Sequence, residues 1–146
     1  IKKNKNLKLL IIGQGNLKKK IFRYIYENNL NNKVTILKNT NNINKYLSLS
    51  KTFILSSKYE GYPNVLLDAA TIKLPIISSK CKFGPYEILG EGKFGKLFDV
   101  GDSKSLSRIM LQDYKLIKII PDNRLKDNKM ENVIKKYHQL FLKTNV

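Results

Sequence analysis

Residues 52–80 read TFILSSKYEGYPNVLLDAATIKLPIISSK, and this stretch decides the architecture. The apolar run 52–56 is short and almost continuous, as a strand buried on both faces of a parallel sheet is. Gly61 then relaxes the backbone and Pro63 presets a helical φ, so 64–72 reads as a helix entered through Pro63. Residues 74–79 form a second short apolar run. Two strands joined through a helix lie parallel, because a tight hairpin cannot make that connection.

The pattern repeats on both sides. Residues 7–12 (LKLLII) and 34–37 read as strands, with a helix over 17–29 carried by Leu17, Ile21, Tyr24 and Ile25 at spacings of three and four. Ile43, Tyr46, Leu47 and Leu49 fit a short helix. A further strand is predicted at 95–98, and a helix over 103–111 with Ser103 as its N-cap. Strands alternating with helices predict an α/β, doubly wound parallel sheet of five or six strands. Ligands of such sheets sit beyond the carboxyl ends of the strands, which singles out 13–16, 37–40, 56–64, 78–87 and 98–102. Residues 1–121 are read as this domain and 122–146 as a polar loop followed by an amphipathic helix. That helix is marked by Met130, Val133, Ile134, Tyr137, Leu140 and Phe141, and a stripe exposed over 130–142 would promote self-association.

The 146 residues carry 28 Lys plus Arg against 11 Asp plus Glu, a net charge of +17. Such a charge suits an anionic partner, either nucleic acid or an acidic membrane surface. However, 25 of the basic residues are lysine and three are arginine, and Lys, Asn and Ile together supply 58 residues. That is the bias of an A+T-rich genome, and it competes with a functional reading of the charge. The lysine runs at 18–20 and 135–136 come with neither a helix-turn-helix signature nor an aromatic-lysine strand motif. No specific nucleic-acid site is expected. A lone cysteine (Cys81) and a lone histidine (His138) exclude an internal disulfide and a Cys/His metal cage. Cys81 is read as a spectator in a polar loop, and His138 as lying on the polar side of the last helix. The apolar runs are far shorter than the roughly 20 residues a membrane span requires, so the chain reads as soluble.

Two segments carry candidate chemistry. Gly13-Gln14-Gly15 follows a strand and precedes a helix, which suits close approach of a phosphate. Lys18 stands where a third fingerprint glycine would be, so a plain tight turn remains equally open. In the second segment, Glu60 lies in the loop before a helix N-terminus and Asp68 one turn inside that helix. Asp68 leans back toward the same mouth, so the two carboxylates can converge on one ligand where free N–H groups also point. A purely structural account stays open beside it, with Glu60 capping the helix and Asp68 paired with a lysine. Tyr59, Tyr62 and Tyr86 flank the crevice, and Tyr62 could pack on a sugar face.

The span from Glu60 to Asp68 resembles the paired-acid signature of the family 4 retaining glycosyltransferases, two glutamates separated by seven residues. Residues 73–78 (KLPIIS) resemble that family's "GxPVI" strand and 84–89 (GPYEIL) its "GPxEIL" segment. Residues 92–98 with 100–102 resemble its "GxxGxLV…xGD" ending. The conjunction covers residues 7–111.

The resemblance implies the Rossmann-like C-terminal half of a GT-B enzyme, binding a nucleotide-sugar such as a UDP- or GDP-hexose and transferring the hexose with retention to a glycan or lipid-linked acceptor. It implies a catalytic Glu60 at the donor sugar and Asp68 at the ribose. Backbone N–H groups from Tyr62, Pro63's neighbour Asn64 and Val65 would hold the diphosphate and sugar. Gly13 and Gly15 would line the nucleotide cleft and 37–39 would meet the base. Asp68 stands where the family has Glu, one methylene shorter, and Lys73 replaces a common glycine. No cofactor and no metal are required, since no Asp-x-Asp pair is present. The family's first strand of this half and its N-terminal, acceptor-binding domain would lie upstream of Ile1, so the chain is expected to be a fragment, inactive alone in transfer. Cytoplasmic work in bacterial polysaccharide biosynthesis, peripheral at the inner face of the membrane, is the implied setting. The competing class is a basic α/β module for nucleic acid or anionic membrane.

Overall fold

The computed structural model describes residues 7–126 and 130–144. The chain divides into two compact units, 1–43 and 44–146.

The first unit holds β1 (Leu9–Ile12), α1 (Lys18–Glu27) and β2 (Val34–Leu37). The two strands pair in parallel from Leu9 with Val34 to Ile12 with Leu37. The Gly13 N–H extends this ladder, donating to the Leu37 carbonyl at 3.1 Å, and Gly15 O accepts from Lys18 N to open α1. Ile25 is the buried residue of α1.

The second unit opens with α2 (Ile43–Ser48, whose first residue lies in the preceding unit) and β3 (Phe53–Leu55). It continues through α3 (Asn64–Thr71), β4 (Ile76–Ser79), α4 (Pro85–Ile88), β5 (Lys96–Phe98) and α5 (Ser103–Met110). A single 3-10 turn at Tyr114–Leu116 leads to α6 (Asp122–Lys126) and α7 (Met130–Thr144). Strands β3, β4 and β5 form one parallel sheet with β4 central, and all four residues of β4 are buried. One core cluster gathers Ile77, Phe98 and Ile117, with Ile54, Leu106, Ile109, Met110 and Tyr114 packed on it. Leu66, Leu89 and Ile120 are among the largest fully buried side chains. Burial of each such Leu, Ile or Phe contributes about 1.5–3 kcal/mol.

The structure departs from three of these expectations. The strands predicted from the sequence all form, but among the described residues they pair as a sheet of two and a sheet of three, not one continuous sheet. The residues read as a loop after Pro121 include helix α6, while 127–128 lie outside the described residues. The cap of α5 is Asp102, not Ser103, because the Asp102 carboxylate accepts from Ser105 N at 2.9 Å. Cys81 follows β4 between Lys80 and Lys82, as expected, and its side chain is buried. His138 is exposed on α7, as expected.

Candidate functional site

The loop after β3 is fixed from two sides. Ser79, buried at the end of β4, donates its hydroxyl to the Ser57 carbonyl at 2.7 Å. The Ser57 hydroxyl in turn donates to Glu60 Oε1 at 2.5 Å. Further along, Tyr59 and Lys82 form an isolated parallel bridge, so the segments leaving β3 and β4 run side by side beyond their strands. Neighbouring parallel strands thus deliver Glu60 and the 82–84 segment to one end of the sheet, the end where α/β proteins bind ligands.

Gly84 closes the arrangement. Its φ of 81° is one that L side chains rarely adopt, and a Cβ there would collide with Pro63 Cδ and meet Gly61 O at 3.4 Å. Glycine at 84 therefore lets the start of α4 press against the loop that carries Glu60, Gly61 and Pro63. On the other side, Glu87 of α4 faces Tyr62. Partial burial, and then the Glu87 carboxylate, raise the Tyr62 phenol above its ordinary value. Arg124 of α6 pins the far end of α4, donating from Nη2 to the Glu87 carbonyl at 2.6 Å and from Nε to the Ile88 carbonyl at 3.3 Å. Its guanidinium also lies 5.7 Å from the Phe94 ring centroid.

Helix α3 begins at Asn64 with Pro63 as N-cap and no side-chain capping bond. In the first turn the Leu66 N–H donates to Pro63 O at 2.9 Å. Glu60 is thus held by Ser57 and does not cap the helix. Asp68 is half-buried on α3, four residues from Asn64. Among the described residues the ion pairs are Lys73 with Asp122 and Lys80 with Asp99, so Asp68 is not lysine-paired either. Glu60, the backbone donors at the start of α3 and the exposed rings of Tyr59 and Tyr62 lie within residues 59–66, with Asp68 further along α3 and the exposed Tyr86 on α4. Such a set can hydrogen-bond hydroxyls and an anionic group together. Gly13 and Gly15 stand at the end of β1 in the first unit, where a Cβ on either would meet nothing within 4 Å.

Sequence reasoning placed Ser57 and Ser79 beyond the strand ends without giving either a role, and it missed Arg124. The two adjacent serines in the otherwise apolar β4 were the available signal, since a buried hydroxyl must find an acceptor. Among the described residues no group of three or more acidic, His or Cys side chains could hold a metal ion.

The family model described as glycosyl transferases group 1 matches residues 1–139. A curated relative from Campylobacter jejuni, N-acetylgalactosamine-N,N'-diacetylbacillosaminyl-diphospho-undecaprenol 4-alpha-N-acetylgalactosaminyltransferase, is 35% identical over 116 residues, 77% of this chain and 32% of its own. Among solved structures, TarM superposes with a TM-score of 0.81 at 25% identity, over 96% of this chain and 30% of that one. HepE of Anabaena, solved with UDP and glucose, superposes with a TM-score of 0.75 at 18% identity, covering 95% of this chain and 41% of its own; at that identity the likeness concerns the fold. This chain spans about a third of the length of these proteins.

Proposed function

The chain belongs to the glycosyl transferases group 1 family and has the α/β fold of GT-B glycosyltransferases, and from that premise we propose that it is the donor-binding half of a retaining hexosyltransferase. The carrying observation is the Glu60 carboxylate, fixed by Ser57 beside the uncapped start of α3. In this reading Glu60 meets the donor sugar and acts as the catalytic carboxylate. Asp68 binds the ribose, and the backbone N–H groups at the start of α3 hold the diphosphate, which the N-terminal end of a helix dipole favours. Gly13 and Gly15 are assigned to the nucleotide on the family resemblance alone. No metal takes part.

The donor is a nucleotide-sugar, and TarM, also solved in complex with UDP at 27% identity to this chain, supports a uridine nucleotide as the first to test. The acceptor is a glycan or a lipid-linked saccharide. The Campylobacter relative, whose name includes diphospho-undecaprenol, supports the lipid-linked option and, with it, work at the inner face of a bacterial membrane. No helix among the described residues is long and apolar enough to cross a membrane, so contact with the bilayer would be peripheral. Transfer requires a second domain to bind the acceptor and exclude water, so this chain alone does not catalyse it.

Calorimetric or NMR titration with UDP, GDP and their hexose derivatives tests the reading. Saturable binding that Asp68→Ala weakens at least about tenfold, roughly 1.4 kcal/mol, supports it. Absence of binding to every nucleotide, or indifference to Asp68→Ala, overturns it. Unchanged affinity after a chelator is expected.

A further inference from the structure

We propose that the exposed face of α1 docks on an anionic lipid surface, with Phe22 and Tyr26 entering the headgroup region and Lys19 and Arg23 meeting lipid phosphates. The proposal deepens the membrane placement given above by naming its surface, and it is independent of the donor site.

Residues 1–43 contain ten basic side chains and one acidic one, Glu27, so this short unit holds more than half of the chain's net charge. Within α1 the charge is not spread at random. Ile25 faces inward at 6% exposure. Lys19, Phe22, Arg23 and Tyr26 follow the i, i+3, i+4, i+7 rule, so they form one stripe, and all four are exposed. Phe22 is 48% and Tyr26 74% accessible, with Leu17 and Tyr24 exposed on the flank. Lys18 reaches over the Phe22 ring at 5.7 Å from its centroid, which adds a further cation at the edge of the stripe.

Large rings displayed in water beside cations suit an occupant that accepts both. A membrane interface does so, because rings settle at the headgroup level while long Lys and Arg side chains extend to phosphate. Anionic lipid adds roughly fivefold in partitioning for each basic residue near the surface, the equivalent of ~1 kcal/mol. A single-stranded nucleic acid would match the charge and the rings, but it is bound in a groove that tracks its backbone. A convex helix face is not a groove, and its cations are lysines with one arginine.

The test is co-sedimentation of the 146-residue chain with vesicles of phosphatidylcholine alone and of phosphatidylcholine mixed with phosphatidylglycerol. Binding is expected to the mixed vesicles only, and to weaken as salt rises from about 0.1 M to about 1 M. Lys19→Glu with Arg23→Glu should lower the partition coefficient at least about 25-fold. Phe22→Ser with Tyr26→Ser, which leaves the charge unchanged, should lower it about tenfold. A control with the same net charge as the first variant, Lys104→Glu with Lys118→Glu in the second unit, should change it by less than about threefold. No binding by the parent chain overturns the proposal. So does an equal loss in the control, indifference to the aromatic pair, or displacement by an oligonucleotide at a lower phosphate concentration than the lipid supplies. UDP affinity measured on the same variants should not move. Should UDP fail to bind the parent chain, the donor reading falls while the vesicle result stands or falls by itself.

Discussion

Glu60 is oriented by a neutral hydroxyl, a bond that fixes the position of the carboxylate without neutralising its charge. In an enzyme containing this domain, Glu60→Gln should lower turnover by about 10²–10³-fold, the scale of losing a preorganised electrostatic group. Melting should be nearly unchanged, because a half-buried loop carboxylate is not a packing residue. Ser57→Ala should reduce turnover less, leaving the carboxylate present but free to rotate. A large fall in melting temperature for Glu60→Gln would instead assign the residue to structure. Gly84 poses the opposite case. Gly84→Ala places a side chain in a left-handed backbone, at about 1–2 kcal/mol, and against Pro63. It should lower melting and nucleotide affinity together, since the neighbour that must move is the candidate donor loop. Unchanged affinity at a temperature where the variant is fully folded would separate α4 from the site.

Helix α5 offers a pH test at the scale of an element. The Ser105 N–H holds Asp102 below the usual carboxylate range. A depressed folded pKa stabilises above the unfolded value, about 3.9, and this contribution is lost as pH falls through the folded pKa. Melting of the parent chain should therefore fall further between pH 5 and pH 2 than that of Asp102→Asn, which keeps an acceptor at the cap without an ionisable group. Arg124→Ala should cost about 1 kcal/mol, the net worth of exposed bonds to α4 carbonyls, with thermal melting as the readout. These elements also mark what the sequence reveals and what it hides. Strands were legible because each is a short apolar run bounded by polar residues, but such runs do not state which strands share a ladder. Helix α4 has four residues and no period to detect, and α6, held by Arg124 and by the Lys73–Asp122 ion pair, has Leu125 as its one apolar residue. Lysines on either side hid the burial of Cys81, although exposed, buried, exposed is the alternation of extended backbone. Of the candidate site, the loop position of Glu60, the place of Asp68 within α3 and the helix start after Pro63 were legible in the sequence. The Ser79–Ser57–Glu60 chain was not, because it exists only once β3 and β4 are adjacent.

Across the whole molecule, a charge of +17 opposes contact between copies while α7 favours it. On α7, Ile134 is 58%, Tyr137 61% and Leu142 63% accessible, a stripe of the kind that soluble monomers seldom leave open. At low ionic strength, repulsion between like-charged copies acts over a screening length of about 10 Å at 0.1 M salt. Near 1 M salt that length shrinks to about 3 Å, while apolar attraction persists. Self-association through α7 should therefore strengthen with salt, the reverse of the salt dependence expected for α1 on anionic vesicles. Sedimentation equilibrium at the two salt concentrations should show a rising average mass, and Ile134→Glu with Tyr137→Ser should abolish the rise. A chain ending at Asn128 should remain monomeric in both conditions. If the full chain is monomeric at high salt as well, α7 does not mediate contact between copies; if association weakens with salt, it is driven by charge and not by this stripe.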